Sequence, residues 1–169
     1  SGVSISNITI FPAQYDLRDY QRVSEVKSQE KKGTCWAFAV YGSLESTLLP
    51  SETFDFSEKH LVNRDGTVEP ESYGGSASFA VPYLARWDGP VLEVLDPYPP
   101  GEEWSDSPDD LPVAQHVQDV FWVPGRTNPS DNNNIKWGIL THGGVYTNFN
   151  STYFQVRPYW DRSHNSFYW

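Results

Sequence analysis

Among the 169 residues the side chain best suited by type to nucleophilic chemistry is that of the single cysteine, Cys35. It follows Gln29-Glu30-Lys31-Lys32-Gly33-Thr34 and precedes Trp36-Ala37-Phe38-Ala39. A sulfur at the first turn of a helix faces free N–H groups and the positive end of the helix dipole, which favours thiolate over thiol. Lys31 and Lys32 add positive charge and Glu30 cancels part of it. The competing reading is an inert, buried cysteine acting as a small hydrophobe. Other chemistries find less support. The four histidines have no zinc-type spacing and there is no CxxC, so neither a metal nor a cofactor is expected. Asp131-Asn132-Asn133-Asn134 begins like a calcium loop, but Ile135 takes the third liganding position, which favours a turn and helix cap. There is no Gly-rich phosphate loop and no GxSxG elbow.

A helix must present Cys35, and Val40, Leu44 and Leu48 recur at helical spacing until Pro50 forbids continuation. The spacing predicts a helix over 35–48. Asp55 or Ser57 caps a second, short helix ending near Asn63, and Ser76, after Gly74-Gly75, caps a third over 77–87 in which Pro82 demands a bend unless the helix starts nearby. Residues 88–112 hold six Pro and eight Asp or Glu and read as a long surface loop. Gln115 to Pro124 alternates as a strand would, the Asn run leads into a short helix at Ile135 to Leu140, and Val145 to Phe149 reads as a β run. Residues 3–27 read as extended chain, with a β-type run at Ile5 to Phe11. Helices first and strands later predict an α+β fold: a helical subdomain over 1–112 and the start of a β subdomain over 113–169.

The charge is 12 − 22 = −10, with a pI near 4.7. An acidic surface repels phosphate backbones and anionic lipid, so neither a nucleic-acid nor a membrane partner is expected. The longest apolar run, Cys35 to Tyr41, is far below the roughly 18 residues of a spanning helix. One cysteine forbids an internal disulfide. Aromatic residues make up 15% of the chain, a richness that also suits sugar-stacking surfaces and keeps an extracellular carbohydrate-binding module among the alternatives. The start at Ser1-Gly2 and the lack of Met suggest a processed product whose export signal has gone. Asn7-Ile8-Thr9 and Asn150-Ser151-Thr152 fit the glycan acceptor pattern.

At Gln29 and Cys35-Trp36 the sequence resembles the papain-like cysteine peptidases, of bacterial or archaeal type. Their signature places a Gln six residues before a Cys-Trp pair that opens the first long helix. Further matches run in the family's order: Tyr15-Asp16-Leu17-Arg18-Asp19, Glu45-Ser46, Phe56-Ser57-Glu58, Gly74-Gly75, Gly89-Pro90-Val91, Asp96-Pro97-Tyr98-Pro99, Ile135-Lys136-Trp137-Gly138 and Gly143-Gly144-Val145. The resemblance implies a cleft between a helical and a β half, in which Cys35 attacks a peptide carbonyl. Gln29 and the Cys35 N–H would hold the developing oxyanion. It also implies that Gly74 and Gly75 line the substrate backbone, with Trp36 as a wall beside them, and that the partner is a peptide or protein.

Two departures from the family's pattern stand out. Lys32, Arg64 and Ser72 occupy positions where the family often has cysteines, so two customary disulfides are absent and stability is expected to rest on the aromatic core. The family's His and Asn lie about 130–150 residues beyond the Cys, which starts near the last residue, Trp169. His164 reads as an exposed loop histidine, and His60, His116 and His142 as structural or solvated. The base is therefore expected beyond Trp169 or on a separate C-terminal chain. The resemblance favours an exported, extracellular or cell-surface endopeptidase, and a peptide-binding module without hydrolysis is the other reading.

Overall fold

A computed structural model describes residues 10–66, 74–148, 160–161 and 166–167. Three helices, α1 (Cys35–Leu48), α2 (Glu58–Arg64) and α3 (Ala77–Ala85), pack against one another. Their shared core comprises Trp36, Ala37, Tyr41, Phe56, Leu61, Val62, Ala80, Tyr83 and Leu84. A 3-10 turn at Glu93–Leu95 follows, then α4 (Asn133–His142) and a two-residue antiparallel pairing of β1 (Trp160–Asp161) with β2 (Ser166–Phe167).

The bounds of α1 are those its spacing predicts, but its buried stripe is shifted. Val40, Leu44 and Leu48 only flank the core, whereas Trp36, Ala37, Tyr41, Glu45 and Ser46 are buried. The polar members of that stripe are satisfied: Glu45 accepts from Phe56 N at 3.0 Å, and Ser46 Oγ donates to Arg22 O at 2.5 Å and accepts from Gly144 N at 2.7 Å. α2 begins under Ser57, whose hydroxyl accepts from His60 N at 3.0 Å, so Ser57 rather than Asp55 is the cap. Ser76 caps α3 as its sequence predicts. That helix ends two residues early, because Trp87 takes a left-handed φ of 60°.

Three expectations are corrected. The loop over 88–112 is anchored in the interior: Ser57 N donates to Val91 O, Glu93 N to Asp55 O, and the buried Asp96 carboxylate takes Lys59 at 2.8 Å together with the Ser107 hydroxyl. Gln115 to Pro124 has no regular structure, and neither does 145–148. Alternating apolar residues become a strand only with a ladder partner, and among the described residues these segments have none. The lost disulfides are replaced by polar clamps as well as by aromatic packing. Lys32 Nζ donates to Pro99 O at 3.0 Å and Gly101 O at 2.7 Å over the rings of Tyr98 and Trp104, and Arg64 holds Ser107 O and Asp109. Residues 5–9 of the run Ile5 to Phe11, Ser72, Phe149, His164 and both glycan acceptor triplets lie outside the described residues.

Candidate active site

Cys35 is the first residue of α1 and is exposed, which sets aside the buried-hydrophobe reading. Thr34 precedes it at the N-cap position, but its side chain makes no capping bond. Instead Thr34 Oγ1 lies 2.6 Å from the Tyr98 hydroxyl, which donates to Gln29 O at 3.1 Å. The Gln29 side chain is partly buried, its Nε2 donating to Lys32 O at 2.6 Å. An amide nitrogen carries two protons, so this bond fixes the group and leaves one N–H for another acceptor.

Gly75 lies flush on Trp36. A Cβ there would fall 2.5 Å from indole Nε1 and 2.6 Å from Cε2, whereas a Cβ on Gly74 would meet nothing within 4 Å. Trp36 is itself 3% exposed and packs edge-on against Phe79, so it backs the glycine from inside the core. Neither lysine places a free charge beside the thiol. Lys31 pairs with Glu102 at 2.8 Å on the surface, and Lys32 is engaged by the two loop carbonyls.

Behind α1, a groove of about 450 Å³ is bordered by Lys27, Phe38, Gly42, Glu45, Glu58 and Gly144. Lys27 Nζ pairs there with Glu58 at 2.9 Å and Asp55 at 2.6 Å. Burial pushes the Glu58 carboxyl up to about 7, against the attraction of Lys27. Burial pulls the Lys27 ammonium the other way, and its two carboxylate partners outweigh it, leaving it at about 12.

The described histidines are engaged elsewhere. His60 is buried with Nδ1 2.7 Å from the Tyr83 hydroxyl, and burial lowers its pKa. His116 stacks on Trp87 and His142 on Phe121. Among the described residues, no hydrogen bond reaches Cys35 Sγ, and no group of three His, Cys, Asp or Glu could hold a metal ion. Asp131 accepts from Thr127 N and Oγ1, a turn ahead of α4. Sequence reasoning assigns no role to Thr34 or Tyr98. The Asp96-Pro97-Tyr98-Pro99 motif marks the place, but only the fold brings it to Gln29.

The model of the papain family cysteine protease matches residues 11–161. The cysteine protease Amb a 11.0101 of Ambrosia artemisiifolia is 31% identical over 125 residues, covering 73% of this chain and 30% of that protein. A viral cathepsin of Heliothis zea nuclear polyhedrosis virus is 31% identical over 136 residues, covering 79% and 35%. A structure from a study of the mite allergens Blo t 1 and Der p 1 superposes with a TM-score of 0.62 at 22% identity, covering 82% of this chain and 46% of that one, which speaks to the fold alone. The chain thus spans about a third of the length of these two curated relatives. With a family match over most of its length and the ordered Gln29, Cys35-Trp36 and Gly74-Gly75 set on a helical half of the same fold, the chain belongs to the papain family of cysteine proteases.

Proposed function

We propose that the chain carries the nucleophile half of a cysteine peptidase acting on peptides or proteins. The observation that carries this is the exposed Cys35 at the first residue of α1, beside a loop whose Gln29 amide is fixed with one N–H to spare. Cys35 Sγ attacks the scissile carbonyl carbon, and the carbonyl oxygen takes negative charge between the Cys35 N–H and Gln29 Nε2. The C–N bond then breaks, the amine leaves with a proton, and water later releases the acyl group from sulfur. Gly74 and Gly75 hold the extended substrate backbone, and Trp36 serves as the wall behind Gly75. The subdomain over 1–112 supplies these groups, and 113–169 begins the facing β subdomain.

The proton carrier is an imidazole oriented by an amide, from residues beyond Trp169 or a separate C-terminal chain. We also propose that the protein acts outside the cell or on its surface. A peptidase assay with a thiol-directed inhibitor, on the 169 residues alone and with the C-terminal portion added, tests the proposal. Hydrolysis is expected only in the combined sample, and Cys35→Ala is expected to abolish it. Full activity from the 169 residues alone refutes the missing imidazole, and activity that survives Cys35→Ala refutes the nucleophile.

A further inference from the structure

The N-cap of α1 is occupied by a residue type that ordinarily caps, yet Thr34 does not do so. Its hydroxyl is drawn 2.6 Å from the Tyr98 hydroxyl, and because that hydroxyl donates to Gln29 O at 3.1 Å, Thr34 must donate to Tyr98. The proton order runs from Thr34 to Tyr98 to the Gln29 carbonyl. Ala37 N–H turns back on Thr34 O at 2.9 Å, and no acceptor is found for the Cys35 and Trp36 N–H groups among the described residues. The Tyr98 ring is itself fixed: Phe38 and Trp104 meet it edge-on at 5.0 and 5.7 Å, Lys32 Nζ sits 5.1 Å from its centroid, and its N–H donates to Glu93 at 2.7 Å. Burial raises the phenol above its ordinary value, so it stays a proton donor at neutral pH.

We propose that Tyr98 is a positioning residue of the peptidase site, whose hydroxyl ties the Gln29 main chain to Thr34, the residue that precedes Cys35. That tie holds the Gln29 amide and the Cys35 N–H together as the two donors for a substrate oxygen. Tyr98 touches neither the substrate nor the thiol. It acts through Gln29 and Thr34, and the inference rests on the reading of Cys35 as nucleophile.

The test is Tyr98→Phe, which removes one oxygen and keeps the ring, assayed with a peptide substrate in the active protein that includes the imidazole-bearing portion. A neutral hydrogen bond of typical net strength corresponds to about 3- to 10-fold in rate. The expected result is a kcat lower by about that factor with KM unchanged, because donors aimed at the oxyanion act in the transition state. The melting temperature stays within about 2 °C, since the freed Thr34 hydroxyl can turn to cap α1 and offset the lost bonds. Thr34→Val removes the other member of the same tie, so it lowers kcat by a similar factor, and added to Tyr98→Phe it costs little more.

Three results overturn the proposal: an unchanged kcat in Tyr98→Phe, a double variant whose loss is the product of the two single losses, or a kcat that falls together with stability, as in a protein that merely loses packing. Cys35→Ala runs beside them. If it retains activity, the nucleophile reading itself has failed; if it is inactive while Tyr98→Phe keeps its kcat, only the role of Tyr98 has.

Discussion

Substituting Gly75 with alanine should destabilise the helical core, whereas the same change one residue earlier should not. A Cβ on Gly75 would lie 2.5, 2.6 and 2.7 Å from three atoms of the Trp36 indole. Carbon contacts are comfortable at about 3.5–4.0 Å, so either the ring or the 74–76 chain must retreat by about 1 Å. The ring has little room, being 3% exposed, edge-on to Phe79 and part of the cluster that includes Tyr41, Phe56 and Tyr83. Overpacking of this kind typically costs about 1–3 kcal/mol. For a chain of this size that is a fall of roughly 2–12 °C in Tm, at about 2–4 °C per kcal/mol. Gly74→Ala is the control: its Cβ meets nothing within 4 Å, and its effect should stay within about 0.5 kcal/mol. Thermal unfolding followed by circular dichroism, with the two variants side by side, decides the matter. Equal melting temperatures for the two would refute the close packing of Trp36 on Gly75.

Glu58 makes stability pH-dependent. Its carboxyl is raised to about 7 in the folded chain from an ordinary 4.5, so its contribution is full below about 4.5 and is lost as pH rises through 7. Between pH 5 and 7 the wild type should therefore lose stability relative to Glu58→Gln, which does not titrate; a difference in urea unfolding that is the same at both pH values would count against this. Lys59 pairs with Asp96 at 2.8 Å with both side chains buried. Lys59→Met alone should cost about 3–5 kcal/mol by stranding the carboxylate, and adding Asp96→Asn should recover part of that in the same unfolding measurement. Lys32→Met leaves the Pro99 and Gly101 carbonyls without their ammonium donor. Hydrogen exchange at Gly101 to Trp104 should accelerate, and unchanged exchange would show that the clamp does not hold the loop.

Several features of this chain are written locally. The spacing of Val40, Leu44 and Leu48 with Pro50 sets the bounds of α1, because helix periodicity and a proline stop need only neighbouring residues. Ser57 and Ser76 start their helices for the same reason. The Gln29 and Cys35-Trp36 spacing marks the candidate site and the family. The segments over 115–124 and 145–148 mislead, because alternation states a preference for a sheet without supplying the strand that would complete it.

Local sequence thus determined the bounds of the first helix and the starts of the second and third, and that a lone cysteine opens the first of them. Only the tertiary structure decided which groups surround it. Tyr98 reaches Gln29 and Thr34 across a separation of more than sixty residues, Lys32 leaves the thiol for the carbonyls of a distant loop, and Trp36 closes on Gly75. Those contacts follow from how the helices and the anchored loop pack together, and packing depends on shape and charge brought from far along the chain, which no spacing rule contains.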